Sequence, residues 1–222
     1  MKYFIMNRFK VYPLLLALLM FNFMFTPLFA QEQINEGKNG GALQLGLRST
    51  QSMFNSTGNF GSGVGGQFRL LLDNQLNTDW FADYFTENLD DLGKRTDAHI
   101  GWSVVFYLKA QKKWQPYILA GHCFDYTRIT TFASPYIPLE QQSKERWSSA
   151  VQAGGGMQWN LSQIVNFTFH AQYMLHLGKD IHVHKEKFDT NEYLAIEEHN
   201  NSSLEGHLLL TFAFNVKIAE LW

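Results

Sequence analysis

From Leu43 to Ile218 the chain alternates between apolar and polar residues in eight separate runs, and this period of two limits the fold more than any other feature. An extended strand sends successive side chains to opposite faces, whereas a helix needs apolar residues at i, i+3, i+4 and i+7. Leu43, Leu45 and Leu47 alternate with Gln44, Gly46 and Arg48; Val64, Gly66, Phe68, Leu70 and Leu72 with Gly65, Gln67, Arg69 and Leu71. Trp80, Ala82 and Tyr84 oppose Asp79, Phe81 and Asp83. Ala98, Ile100, Trp102, Val104, Phe106 and Leu108 then oppose His99, Gly101, Ser103 and Tyr107. In the fifth run Ile118, Ala120, Phe124 and Tyr126 form the apolar set, which brings His122 with them. Val151 to Trp159, Val165 to Leu175 and Leu208 to Ile218 complete the series, and no helical periodicity competes with it. The pattern predicts an all-β chain of eight strands.

The connections fall into two kinds that take turns. Those at 73–78, 109–114 and 160–163 are short, while those at 55–61, 87–96, 130–146 and 179–205 are generally longer and strongly polar. All the longer ones therefore lie at one end of the sheet, and an even strand number returns both chain ends to the other. Transmembrane β-barrels have this asymmetry, with tilted strands that cross hydrocarbon in roughly 9–11 residues. Hydrocarbon offers backbone N–H and C=O no partner, so a spanning sheet has to close on itself. The expected fold is an eight-stranded antiparallel up-and-down barrel over 42–222, apolar outside and polar within.

The start of the chain agrees. Lys2, Arg8 and Lys10 precede an almost wholly apolar stretch from Tyr12 to Phe29, then Ala30 and the polar run Gln31-Glu32-Gln33. This is the layout of a secretory signal peptide over 1–30, cleaved after Ala30, with 31–41 as a short periplasmic segment. Its loss takes the formal charge from −2 to −5. Such a balance gives no reason to expect nucleic acid, and Cys123, the single cysteine, excludes a disulfide framework. A mean hydropathy of −0.20 beside 15% aromatic residues fits two interleaved faces better than it fits a helical membrane protein or a disordered chain. Trp80, Trp114, Trp159 and Trp222 are predicted at the short-turn rim and Trp147 toward the other, where amphipathic rings favour membrane interfaces.

The signal sequence, the eight runs, the loop asymmetry and the ending Phe212-Ala213-Phe214-Asn215-Val216-Lys217-Ile218 with terminal Trp222 together resemble OmpA/OmpX-type small outer-membrane barrels. The stretches Trp80 to Tyr84 and His99 to Val104 are similar to proteins known only as outer membrane protein β-barrel domains. The resemblance implies a monomer in the outer membrane of a Gram-negative bacterium, surrounded by lipid. It also implies insertion by the barrel-assembly machinery, for which Trp222 resembles the terminal aromatic signal.

An eight-stranded barrel is just wide enough for side chains to fill. Parity sends Arg48, Gln67, Arg69, Asp79, Asp83, Gln152, Gln172, Asn215 and Lys217 inward, which favours a salt-bridged polar plug over an ion pathway. Gly154, Gly155 and Gly156 are expected to permit bending or close packing in the sixth strand. His99, His176 and His207 are inward and near the external strand ends, and His182 and His184 open the longest connection. These five are the candidate ligands for a transition metal, should one be held. The bland alternative is ordinary polar lumen and loop residues, and the sequence is read as holding no cofactor.

The predicted function is a non-enzymatic barrel serving envelope integrity or surface interaction with an external ligand. The 179–205 segment is its surface, with Glu186, Asp189, Glu192, Glu197 and Glu198. Two other readings stay open. One is a lipid-modifying membrane enzyme, for which His99 with Ser103, or His122 and Cys123 with Asp125, are the loose catalytic groupings. The other is a secreted lipocalin-like barrel, which would put the apolar set inside.

Overall fold

The computed structural model describes residues 40–54, 60–110, 112–132, 142–188 and 191–222. The predicted signal sequence and all but the end of the predicted 31–41 periplasmic segment lie outside the described residues. Eight strands follow in order: β1 (Ala42–Phe54), β2 (Phe60–Asp73), β3 (Leu76–Leu89), β4 (Gly93–Tyr107), β5 (Trp114–Thr131), β6 (Ser143–Asn160), β7 (Val165–Phe188) and β8 (Asn191–Glu220). Each pairs antiparallel with its neighbours, and β1 pairs with β8 to close the barrel. Every backbone group of a strand can then bond sideways, which removes the edges that hydrocarbon would not tolerate.

The two faces separate as the alternation requires. Leu47, Val64, Ile100 and Phe124 stand outward and are 71%, 68%, 65% and 62% exposed. A continuous belt of such residues is incompatible with water and natural against lipid chains. Arg48, Arg69, Asp79, Asp83, Asp125, His99, His176 and His207 are buried inside. A lipocalin-like barrel would have these faces reversed. Gly154 and Gly156 lie where a Cβ would run into the β7 backbone at Ala171 and Phe169, so β6 and β7 approach too closely there for any side chain.

Two of the expected loops are strand. The 87–96 connection shrinks to a turn between Leu89 and Gly93, closed by Leu92 N–H donating to the Leu89 carbonyl at 3.0 Å. Asp90 and Asp91 sit there at φ 53° and 60°, the left-handed pair of a type I′ turn, which matches the twist of the flanking strands. Asn88 holds the turn by donating to the Asp91 carboxylate at 2.6 Å and accepting its backbone N–H at 3.0 Å.

The 179–205 segment differs more. β7 and β8 remain paired to Phe188↔Asn191, with one register shift between Lys179 and Asp180. Ile181 and Val183 on β7, and Leu194 and Ile196 on β8, keep a period of two inside a strongly charged stretch. They pack with Leu89, Leu92 and Ile129 into a small apolar core. The charged residues between them pair across the hairpin and outside it, as with Lys187–Glu192 at 2.8 Å and Lys185–Asp90 at 3.0 Å. The predicted acidic loop is a structured β-hairpin standing on the external end of the barrel.

The tryptophans divide. Trp114 and Trp159 stack at the short-turn end with ring centroids 5.0 Å apart, and Trp222 is exposed beyond the last strand. Trp147 packs on Tyr126 at 5.0 Å toward the external end. Trp80 does not join the rim. Its register partner is Trp102, which faces His122, eight residues along β5 from Trp114. Trp80 therefore lies within the apolar belt, stacked on Phe68 at 5.8 Å. The reason is that β3 begins at Leu76, leaving a connection of only residues 74–75 and placing Trp80 well inside the strand.

Candidate functional site

The lumen holds two polar groups and a buried apolar cluster. In the half nearer the short turns, the Arg69 guanidinium forks onto Asp79 with two bonds of 2.6 Å and donates to Gln158 at 2.7 Å. Tyr107 donates to Gln158 at 2.6 Å and accepts from Asn77 at 2.8 Å. Beside this group Arg48 pairs with Asp83 at 3.0 Å, donates to Gln67 at 3.1 Å and lies 4.4 Å over the Phe81 ring. Gln67 donates on to Asn215 at 2.5 Å, and Asn215 to Asn166 at 2.9 Å. Gln172 donates to Gln152, and Gln152 to Ser103, at 2.9 and 2.8 Å. Planar forks and amide chains of this kind fix the relative positions of the strands that carry them.

Lys217 stands apart from these groups. It lies two residues beyond Asn215, partly exposed, with its ammonium 3.8 Å from Glu220. The β1–β8 register shifts beside it, between Leu43 and Gln44, so the inward parity of Lys217 ends at the rim rather than in the plug.

Above, Phe81, Phe85, Cys123, Ala150, Met174 and Leu209 form a buried apolar layer. The three inward histidines meet on its external side. His99 comes from β4, His176 from β7 and His207 from β8, all fully buried. Their ring centroids form a triangle with edges of 6.0 Å (His99–His176), 5.8 Å (His99–His207) and 4.7 Å (His176–His207). One ring nitrogen from each falls within 4.8 Å of the other two. His176 Nε2 and His207 Nδ1 are 3.2 Å apart.

Behind His176, its Nδ1 faces Asp125 Oδ2 at 3.0 Å, and Ser148 donates to the other carboxylate oxygen at 2.5 Å. Asp125 and Ser148 were not singled out among the lumen groups by sequence. Parity sends both inward, and β5–β6 register makes them direct partners, a relation that a single strand's pattern does not contain. Further out on β4, Arg95 bonds Asp97 at 3.1 Å, and Thr127 donates to Asp97 at 2.6 Å. The Ile181–Leu194 core lies beyond them along the strands.

The other two candidate ligands are elsewhere. His184 is on the external hairpin, exposed, and 3.1 Å from Glu186. His182 is also on that hairpin, paired in register with Glu197. His184 does not reach the buried trio. The loose catalytic groupings do not assemble either. Ser103 accepts from Gln152, and His122 faces outward while Cys123 and Asp125 face inward. Cys123 instead donates its thiol proton to Met174 sulfur at 3.7 Å.

Comparison with solved structures returns small outer-membrane barrels. A major outer membrane protein from Thermus thermophilus matches with a TM-score of 0.54 at 9% identity, covering 80% of this chain and 100% of that one. Neisserial surface protein A matches at 0.49 and 14%, over 80% and 96% of the two chains. Outer membrane protein AlkL matches at 0.46 and 10%, over 86% and 98%. The chain has the fold of the Thermus thermophilus barrel. No family model and no curated protein matches the sequence.

Proposed function

We propose that this chain is a closed, non-conducting scaffold in the outer membrane of a Gram-negative bacterium, and that it works by presenting its β7–β8 hairpin outside the cell. The observation that carries this reading is the hairpin's own apolar core, which joins Ile181 and Leu194 to Leu89 and Ile129 on other strands. A solvated loop without a role has no need of such an anchor, while a recognition surface gains from rigidity because less entropy is lost on binding. Residues 179–205 hold three basic and seven acidic side chains, so the surface favours a cationic partner. Buried Arg–Asp pairs and buried apolar clusters inside the barrel support the absence of conduction.

The test has two arms. In planar bilayers the folded wild-type protein should give no stepwise current, and regular steps would overturn the closed scaffold. In cells, a variant with 181–198 replaced by a two-residue turn should retain a heat-modifiable barrel but lose adhesion to polylysine-coated surfaces. Undiminished adhesion by that variant would overturn the role of the hairpin.

A further inference from the structure

Three histidines from strands distant in sequence meet at one buried point, and their arrangement is hard to explain by hydrogen bonding alone. A neutral imidazole carries one N–H and one lone pair. Asp125 Oδ2 stands 3.0 Å from His176 Nδ1 and favours the proton on that nitrogen, which leaves the Nε2 lone pair directed at His207. His207 can donate from Nδ1 to that lone pair, making a chain Asp125–His176–His207. His99 remains outside this chain. It is fully buried, and neither of its ring nitrogens has a hydrogen-bond partner among the described residues. Its ring is nonetheless held 4.8 Å from Phe85 and parallel to His207, so packing aims it at the cluster.

We propose that His99, His176 and His207 bind one divalent first-row transition ion of the Zn2+ class, with Asp125 as a positioning residue for His176. Imidazole suits such ions, and zinc–nitrogen bonds of ~2.0–2.1 Å in a tetrahedron set ligand nitrogens roughly 3.3 Å apart. The 3.2 Å between His176 Nε2 and His207 Nδ1 already matches that spacing. The remaining separations stay within 4.8 Å, so His99 has only a short distance to travel to a common ion. A metal supplies the partner that His99 otherwise lacks. Asp125, itself held by Ser148, occupies the place that an orienting carboxylate takes behind a metal-bound histidine.

Three protein ligands leave a fourth position for solvent. All three rings are fully buried, so the ion has to enter before the barrel is fully closed. This proposal is independent of the hairpin's role in adhesion. It concerns the lumen only.

The protein would be refolded into detergent with ZnCl2 or CoCl2 and freed of excess metal. Metal per chain is then measured on the heat-modifiable, folded fraction. About one equivalent should remain on the wild type, and the Co2+ form should show the visible absorption of a four-coordinate imidazole site. His99→Phe and His99→Gln should each lose the equivalent, whereas His184→Ala should keep it. Asp125→Asn should keep the stoichiometry while weakening affinity roughly 10–100-fold, the range for removing such a carboxylate. Folded wild type without bound metal, or without the Co2+ absorption, would overturn the site. So would an equivalent that survives in both His99 variants.

Discussion

The two polar regions of the lumen are built from similar elements and have opposite character. On the short-turn side unlike groups face each other: Arg69 with Asp79, Arg48 with Asp83, and amides with amides. On the external side three like groups converge, and a carboxylate stands behind His176. The first arrangement gives rigidity. Buried ion pairs are costly to desolvate and useful mainly because a wrong register would strand a charge. The second gives electron-pair donors aimed at a common point, which is what a ligand needs and what folding alone does not.

The comparison breaks most decisively at Asp79. Asp79→Ala leaves the Arg69 guanidinium buried with its charge uncompensated, which should cost about 3–5 kcal/mol of unfolding free energy. The double replacement Arg69→Met with Asp79→Leu removes both charges and should recover most of that loss. Urea unfolding of the refolded barrel measures both. If the double variant were as unstable as the single one, the pair would be contributing more than mutual compensation, and the reading of this half as a self-satisfying plug would fail.

A smaller and more local effect is expected where the hairpin meets the barrel. Leu194→Ala opens a hole in the external core and should cost about 2–5 kcal/mol, confined to β7–β8 beyond the lumen. Amide exchange would show it as lost protection over 181–197 while β1–β5 exchange as before. Uniform loss around the barrel would mean that the hairpin and the lumen form one cooperative unit rather than two.

The fold was legible because one face of each strand had to be apolar, and that requirement writes itself at period two in a single strand. What connects strands is not written in any of them. The meeting of His99 with His176 and His207 depends on strands β4, β7 and β8 being curled until they face each other across the lumen. Parity gave the direction of each ring and nothing about the distances. The hairpin was hidden for a different reason. Its four apolar anchors, Ile181, Val183, Leu194 and Ile196, are diluted by charges that pair across strands, so the stretch has the composition of a solvated loop. Lys217 and Trp80 show the opposite failure, since parity fixes a face but not a depth, and both sit at a different level from the one their face implied.

The finest distinction between hairpin and lumen is their response to acid. The Glu186 carboxylate accepts the Tyr193 hydroxyl and then His184, and these bonds hold its pKa below the usual value of 4.5. A carboxylate with a depressed folded pKa stabilises the structure fully above its unfolded value and loses that contribution as pH falls through the folded one. The hairpin's contribution from Glu186 is therefore intact at neutral pH and declines only below about pH 4.5. Tyr193 answers in the alkaline direction. Its hydroxyl is raised above 10.0 by the same bond, so its contribution is present below that value and is lost as pH rises through the folded pKa. Following the Glu186 carboxyl by NMR should give a midpoint below 4.5 in the wild type and an upward shift in Tyr193→Phe. A midpoint unchanged by that substitution would mean that the two side chains do not meet in solution and that the hairpin is held by its apolar anchors alone.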